Sequence, residues 1–174
     1  MVTIRRYRSA DRQAVWDLHH TALRDAGADL GMGSWDDDLR DIEHVSLDGT
    51  GEFLIGEQDG VMVAMGALQR RGGGIAAVRR MRVHPGHQRR GIGGRILRTL
   101  EARADGLGYR CLVLDTTTVQ RAAIAFDTAH GYVQTGVGSV GRFTVLYFEK
   151  VLAPAGARRA LSVSSPLCRG GGGW

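Results

Sequence analysis

The sequence predicts one domain of mixed α/β class, with a central sheet of about seven strands flanked by about four helices. The chain has 174 residues, of which 43% are hydrophobic and 24% charged, as expected for a globular protein with a single core. In the second half, strand patterns alternate with helix patterns, which predicts a parallel crossover. In the first half, Asp59-Gly60 separates two apolar runs and predicts an antiparallel hairpin. Together these patterns predict a mixed sheet.

The first predicted elements are a strand at residues 2–7 and two helices. Residues 9–11 offer N-cap groups for the first helix, in which apolar residues recur with helical spacing at Ala14, Val15, Leu18 and Ala22. Residues 34–37 have the pattern of a capping box for a short second helix. Its apolar residues Trp35, Leu39 and Ile42 are expected to share one face.

The remaining elements are more strands than helices. Strands are predicted at residues 52–57 and 61–68, then up to Val83, at 109–115, at 132–138 and at 142–151. Helices are predicted at residues 92–107 and after residues 116–118. The domain therefore spans residues 1–152. Residues 153–174 are rich in Gly, Ser and Arg without apolar periodicity, which predicts a disordered tail.

The most informative segment joins the strand ending at Val83 to the helix that follows. It passes through a turn at Pro85 and then through Gly91, Gly93 and Gly94. Backbone N–H groups at a helix N-terminus have no partner within the helix, and the helix dipole adds partial positive charge there. Glycines let an anion approach these donors closely. The segment therefore predicts a site for phosphate or pyrophosphate.

The glycine spacing argues against two common nucleotide sites. A P-loop needs G-x-x-x-x-G-K-[ST], and a dinucleotide site needs G-x-G-x-x-G; neither pattern is present. The sequence Gln88-Arg89-Arg90-Gly91-Ile92-Gly93 instead matches Q/R-x-x-G-x-G/A, and it is preceded by residues 81–85 and followed by a helix. This arrangement resembles the acyl-CoA pyrophosphate loop of the GNAT superfamily of N-acetyltransferases.

A second segment supports the resemblance, which extends over about residues 1–151. Ala123-Ile-Ala-Phe126, followed by His130-Gly131-Tyr132, is similar to the helix-to-strand element late in that family. Ala123, Phe126 and His130 have the spacing of one helix face, and Gly131 is placed to cap the helix. The resemblance implies a fold in which the two central parallel strands splay apart.

The resemblance also implies a function. It implies direct transfer of an acetyl group from acetyl-CoA to a primary amine of a small molecule, in a ternary complex and without a metal. The backbone of Met81 and Val83 is expected to bind the pantetheine arm, and an N–H near Val83 to stabilise the oxyanion. The expected cofactor-binding residues are Met81, Arg82, Val83, Gln88, Arg89, Arg90, Gly91, Ile92, Gly93, Gly94, Ala123 and Phe126.

The catalytic residues are left unassigned because the chain departs from the family at two places. Asp127 stands where relatives have a Tyr that protonates the leaving thiolate, and residues 76–79 lack the family's usual Glu. An Asp at its usual pKa is a poor acid, so Asp127 is interpreted as a surface residue. Four further candidates are weaker and have ordinary structural explanations: Glu57, His84, Tyr132 and Tyr147. The pair His19-His20 is not accompanied by further residues in a metal-ligand pattern, so no metal site is expected there.

The charge pattern bears on the partners. The net charge is +5, but three of these charges belong to Arg158, Arg159 and Arg169 in the tail. Arg89 and Arg90 are interpreted as a collar for phosphates. The acidic run Asp36, Asp37, Asp38, Asp41 and Glu43 either attracts a cationic amine, such as a polyamine or aminoglycoside, or is a solvated helix face. Nucleic-acid binding is ranked last because few aromatic residues accompany the arginines.

Location and assembly are inferred only by default. No secretory or membrane-spanning segment is present in the sequence, so a cytoplasmic protein without a membrane partner is expected. A homodimer is possible on family grounds. Cys111 is expected to be a small buried hydrophobe and not part of a disulfide framework. Two other functions are kept open: a non-catalytic acyl-CoA sensor, and acetylation of protein N-termini or lysines.

Overall fold

The computed structural model describes residues 1–152 and Cys168, which form a seven-stranded sheet with helices on both faces. The strands are β1 (Thr3–Arg6), β2 (Glu52–Gln58), β3 (Val61–Gly72), β4 (Ile75–Val83), β5 (Cys111–Thr117), β6 (Val133–Val140) and β7 (Phe143–Val151). The helices are α1 (Arg12–Asp25), α2 (Asp37–Arg40), α3 (Ile42–Ser46), α4 (Ile92–Gly106) and α5 (Arg121–Ala129). The predicted mixed α/β class is confirmed.

The sheet has the order β1-β2-β3-β4-β5-β7-β6, and only its central pair is parallel. β1 to β4 form an antiparallel meander in which Asp59 and Gly60 both have positive φ, as a tight hairpin turn requires. β4 reaches its parallel neighbour β5 through α4, which is the predicted crossover. The hairpin of β6 and β7 completes the other side.

Two apolar cores lie on opposite faces of the sheet. On one face, α4 buries Ile96, Leu97 and Leu100 against the strands. On the other face, α1 and the short helices bury Val15, Leu18, Leu39 and Ile42. We call these the α4 face and the α1 face.

The parallel pairing of β4 with β5 is short. Ile75, Ala76 and Ala77 pair with Cys111, Leu112 and Val113, and no pairing follows between the two strands. β5 continues along β7 as far as Thr117, while β4 stays with β3 as far as Val83. The two strands therefore diverge at the middle of the sheet, which agrees with the splay that the family resemblance implies.

A bulge in β4 lies where this divergence begins. Arg79 pairs with Ala67 and Arg82 with Met65, so Arg80 and Met81 face the single residue Gly66. Arg80, one of the two bulged residues, has a left-handed backbone conformation with a φ of 56°. A β-bulge re-aims the side chains of the strand that contains it. Here it places the side chain of Arg80 on the α1 face, where it contacts α2.

The predicted second helix is wrong in its detail. The structure has a 3-10 turn at Ser34–Asp36, then α2, then α3, with a break at Asp41. No capping side chain bonds the start of the turn, and Asp36 is drawn into the protein interior instead. Leu39 and Ile42 are buried as expected, but Trp35 is 40% exposed.

The expectation for the cysteines is half right. Cys111 is buried, but its sulfur forms a disulfide with Cys168, which packs beside Ala77 and Val113 on the α1 face. The sequence offered only two cysteines 57 positions apart, and nothing in their spacing indicated that they meet. The remainder of the predicted tail, residues 153–167 and 169–174, lies outside the described residues. None of the helices in the described part of the chain is long and apolar enough to cross a membrane.

Candidate functional site

The glycine-rich loop forms a cradle of backbone donors at the start of α4. Gly91 is the residue before the helix, and it has a φ of 76°, which L-amino acids rarely adopt. Arg89 is also left-handed, with a φ of 57°. Within residues 1–152 and Cys168, no group accepts a hydrogen bond from the N–H groups of residues 89 to 94. A run of free donors at a helix N-terminus fits an anion.

The second motif is packed against this loop. The rings of Phe126 and His130 on α5 lie 4.1 Å apart, which confirms that they share a face. A Cβ atom on Gly93 would approach Phe126 within 3.6 Å, and one on Gly94 would approach His130 Nε2 within 3.3 Å. Only the contact at Gly94 is tighter than ordinary packing, so Gly94 lets His130 lie close to α4, whereas Gly93 leaves its N–H group open without being required by packing.

Gly131 confirms the predicted end of α5. It has a φ of 85°, and its N–H donates to Thr128 while that of Tyr132 donates to Asp127. This is the Schellman arrangement for a helix C-terminus. It places Tyr132 in the core and starts β6.

The end of β4 presents free backbone groups to the space left by β5. The N–H of His84 donates to the carbonyl of Val63, so this pair is hydrogen-bonded across β3 and β4. Because antiparallel strands alternate, Val83 turns its N–H and carbonyl away from β3. The carbonyl of Val83 accepts from Gln88 Nε2 at 3.3 Å, and that of Met81 accepts from Arg82 Nη1 at 2.8 Å. An extended ligand could pair with this edge as an added strand.

On the α1 face, Arg80 holds two aspartates of the acidic run. Its Nη1 lies 3.1 Å from Asp36 Oδ1, and its Nε lies 3.0 Å from Asp38 Oδ2. His19 Nε2 is 3.1 Å from the same Asp36 oxygen. Burial opposes charge on Asp38, but the hydrogen bond and charge of Arg80 outweigh it and lower the pKa of Asp38. Buried carboxylates of this kind are stable only with such partners.

The other acids of the run are also paired. Asp37 contacts Arg40, Asp41 contacts His44, and Glu43 lies 3.6 Å from Arg12. The acidic run is thus engaged within the protein.

Arg82 contrasts with Arg80, although only one residue separates them. Among the described residues it donates only to the carbonyl of Met81, and its buried Nε has no partner there. Burial, and then repulsion from Arg80 and Arg79, lower the pKa of Arg82 to about 10, so it stays charged at neutral pH. Burial also lowers the pKa of His19 to about 3, which keeps this imidazole neutral.

Asp127 is buried, so its interpretation as a surface residue is wrong. It is 7% exposed, and its Oδ2 accepts from Thr116 Oγ1 at 2.9 Å. Burial raises the pKa of Asp127 to about 6. The sequence pattern gave the helical position but not the rotation of α5 against β5, which decides the burial.

The four weaker candidates for catalytic residues each contact other parts of the protein. His84 Nδ1 accepts from the N–H of Gly86, and Glu57 pairs with Arg5 at 2.8 Å. Tyr132 is 2% exposed and donates to Glu101. The ring of Tyr147 lies against Gly136 and Gly138 in β6. The sequence gives no sign of the contact between His19 and Asp36, which are 17 positions apart.

Two open clefts lie away from these groups. Their volumes are about 330 and 240 Å³, and both adjoin Gly73 and Gly74 before the start of β4. Neither is lined by a predicted cofactor-binding residue. The candidate site is therefore the opening between the ends of β4 and β5, with the loop of residues 88–94 at its rim.

Comparison with known proteins decides the family. The model of the acetyltransferase (GNAT) family matches residues 12–132, which include both motifs. The chain belongs to the GNAT family of acetyltransferases. A search of curated protein sequences finds no match.

Solved structures of GNAT proteins share the fold at low sequence identity. A GNAT-family acetyltransferase from Staphylococcus aureus Mu50 has a TM-score of 0.81 and 17% identity, covering 88% of this chain and 100% of its own. The ribosomal-protein-S18-alanine N-acetyltransferase from Escherichia coli has a TM-score of 0.70 and 20% identity, covering 92% and 100%. The protein yncA from Salmonella typhimurium, solved with its cofactor acetyl-CoA, has a TM-score of 0.69 and 22% identity, covering 92% and 99%.

Proposed function

We propose that this GNAT protein transfers an acetyl group from acetyl-CoA to a primary amine of a small molecule, by direct attack in a ternary complex. The observation that carries the proposal is the run of free N–H groups at residues 89–94, at the N-terminus of α4 and beside the open edge of β4. The loop fits a pyrophosphate, and the strand edge fits the pantetheine arm that is attached to it.

Each part of the cofactor then has a binding group. The N–H groups of the loop from Arg89 to Gly94 bind the pyrophosphate, with Gln88 and the exposed side chains of Arg89 and Arg90 beside it. The backbone of Met81 and Val83 binds pantetheine. Ala123 and Phe126 line the α5 side of the opening. This arrangement puts the thioester at the end of β4.

In the reaction, the neutral amine attacks the thioester carbonyl carbon. A C–N bond forms, the C–S bond breaks, the amine loses a proton and the leaving thiolate takes one up. The N–H of Val83 faces the opening and stabilises the oxyanion. Since the pKa of Asp127 is raised to about 6, its carboxyl is in part protonated near neutral pH and is our candidate for the proton donor.

The alternative of a non-catalytic acyl-CoA sensor uses the same cradle, and it is favoured by the absent Tyr at Asp127. Release of free thiol in the presence of amines distinguishes the two. Acetylation of a protein N-terminus has support only from the name of the Escherichia coli relative.

Titration calorimetry with acetyl-CoA tests the proposal directly. Wild type is expected to bind with micromolar Kd, and Gly91→Glu to lose at least 100-fold in affinity, because it places a carboxylate where the pyrophosphate lies. The matched control is Gly108→Glu. Gly108 has a φ of 81°, is exposed and lies at the other end of α4, so it repeats the backbone strain without touching the loop.

The control is expected to bind acetyl-CoA as wild type does. Equal losses in both variants would show that strain in α4, and not the site, is responsible. Absence of binding by folded wild type would reject both the enzyme and the sensor.

A further inference from the structure

Arg82 is among the residues that the resemblance predicts to bind the cofactor, but its side chain lies on the face of β4 opposite to those of Met81 and Val83. Its neighbours Met81 and Val83 pack into the core of the α4 face. Side chains alternate along a strand, so Arg82 points to the α1 face, toward α1 and the cluster around Arg80. Its guanidinium is therefore separated from the α4 core and lies beside the ionic cluster of the α1 face.

The guanidinium of Arg82 has a free edge. Its one hydrogen bond, from Nη1 to Met81, leaves Nε and Nη2 without an acceptor in the described part of the chain. These two nitrogens form the edge that binds a carboxylate through two parallel hydrogen bonds. A buried Nε without a partner is costly, so the structure bears this cost at a site where a ligand can supply the acceptor.

Other unpartnered polar atoms surround Arg82. They belong to His19 on α1 and Asp36 before α2, which both interact electrostatically with Arg82. His19 and Asp36 are each only 1% exposed, so solvent does not satisfy their Nδ1 and Oδ2 atoms. Unpartnered groups on two further segments beside one arginine indicate a ligand site and not a single defect of packing.

The charge of the site favours an anion. Arg80 forms ion pairs with Asp36 and Asp38. Arg79 lies 3.5 Å from Asp115 across the opening. Arg82 hydrogen-bonds none of these carboxylates, and Arg71 adds a further positive charge nearby. The acidic run that suggested a cationic acceptor is paired internally, with Arg80, Arg40, His44 and Arg12 as its partners.

We propose that Arg82 binds a carboxylate group of the acceptor, so that the substrates are amines that also carry a carboxylate, such as free amino acids. This inference rests on the proposed acetyl transfer. A carboxylate held at Arg82 positions the amine of the same molecule beside the end of β4, next to the N–H of Val83. The class of acceptor thus changes from a polycation to an amino acid.

The test compares amino acids with their carboxamides, which keep the amine and lose the charge. With wild type and acetyl-CoA, kcat/KM is expected to be at least tenfold higher for α-amino acids, β-alanine or γ-aminobutyrate than for the matching amides. Arg82→Gln is expected to abolish this preference and Arg82→Lys to restore part of it. Arg110→Gln, an exposed arginine at the other end of the sheet, should keep the preference.

A binding experiment makes the test independent of turnover. Calorimetry with CoA-saturated protein measures whether amino acids bind better than amides, and whether Arg82→Gln removes the difference. Preference for the amides, or equal binding of both, would overturn the role of Arg82 while acetyl-CoA binding and transfer to amides left the proposed function intact. Failure to bind acetyl-CoA would reject the proposed function instead, and the amino-acid titration without CoA would still decide on Arg82.

Discussion

The two halves of β4 are stabilised in different ways. The first half, Ile75 to Ala77, has strands on both sides, and the disulfide of Cys111 and Cys168 lies over it. The second half, from Arg79 to Val83, has a strand on one side only, a bulge, and charged side chains on the α1 face. The first half is stabilised by hydrogen bonding to strands on both sides. The second half is stabilised by the ion pairs of Arg80, and one of its backbone edges is free.

This difference explains how the chain keeps a strand edge open inside its sheet. An unpaired strand edge in the core would cost the free energy of its unmet hydrogen bonds. The buried contacts of Arg80 hold the bulged, open half of β4 from the α1 face, where no neighbouring strand supports it. Substitutions in each half test whether this division is real.

The largest effect is expected from Arg80→Gln. It removes the cation between Asp36 and Asp38 and leaves two buried carboxylates uncompensated, which costs about 3–5 kcal/mol of unfolding free energy. Urea unfolding measures it. Arg79→Gln is the matched control, because the pair with Asp115 is long and half exposed and should cost below about 1 kcal/mol. Equal costs would show that the cluster does not hold the open half.

The fold and the glycine-rich loop can be predicted from the sequence because both depend on local patterns. The hairpin at Asp59-Gly60, the helix cap at Gly131 and the glycines before α4 follow from the backbone needs of single residues. The cluster around Arg80 was not foreseen, since it joins Asp36 to a residue 44 positions away through a bulge that has no sequence signal of its own. The burial of Asp127 and the disulfide are long-range in the same way.

The second prediction concerns the first half of β4. Cys168→Ser removes the disulfide, which closes a loop of 57 positions, and loop-closure entropy sets an upper limit of about 4 kcal/mol on the stability lost. Thermal unfolding without reductant measures the loss. Wild type treated with dithiothreitol should match the variant, and acetyl-CoA affinity should be unchanged in both because the site is at the other end. A variant as stable as oxidised wild type would show that the disulfide contributes nothing.

The third prediction concerns the buried carboxyl of Asp127, which is hydrogen-bonded to Thr116. The pKa of Asp127 is raised from 3.8 to about 6, so the folded state binds its proton more tightly than the unfolded state does. Stability from this group is present below about pH 4 and is lost as the pH rises through about 6, by at most about 3 kcal/mol at 1.36 kcal/mol per pKa unit. Asp127→Asn keeps an acceptor for Thr116 and should be more stable than wild type at pH 7 but not at pH 4.

Measuring kcat distinguishes a catalytic role of Asp127 from a purely structural one. If the carboxyl donates the proton to the thiolate, Asp127→Asn also lowers kcat at least tenfold, with little change in the Kd for acetyl-CoA. An unchanged kcat in the more stable variant would show that Asp127 is not the proton donor. A variant less stable than wild type at pH 7 would show that the carboxylate is favoured where it lies.

The smallest effect is expected at the bulge itself. Gly66 faces the two bulged residues, and a Cβ there would lie 2.6 Å from both Ile96 Cγ2 and Met81 Sδ. Gly66→Ala therefore forces α4 or the bulge to move, at a cost of about 1–3 kcal/mol. Gly56→Ala on β2 is the milder control, since its Cβ would meet Ala64 at 3.0 Å and no helix. Because Met81 is part of the proposed pantetheine edge, Gly66→Ala should weaken acetyl-CoA binding several-fold whereas Gly56→Ala should not. Loss of stability without loss of binding would mean that the free edge of β4 does not depend on how the bulge packs against α4.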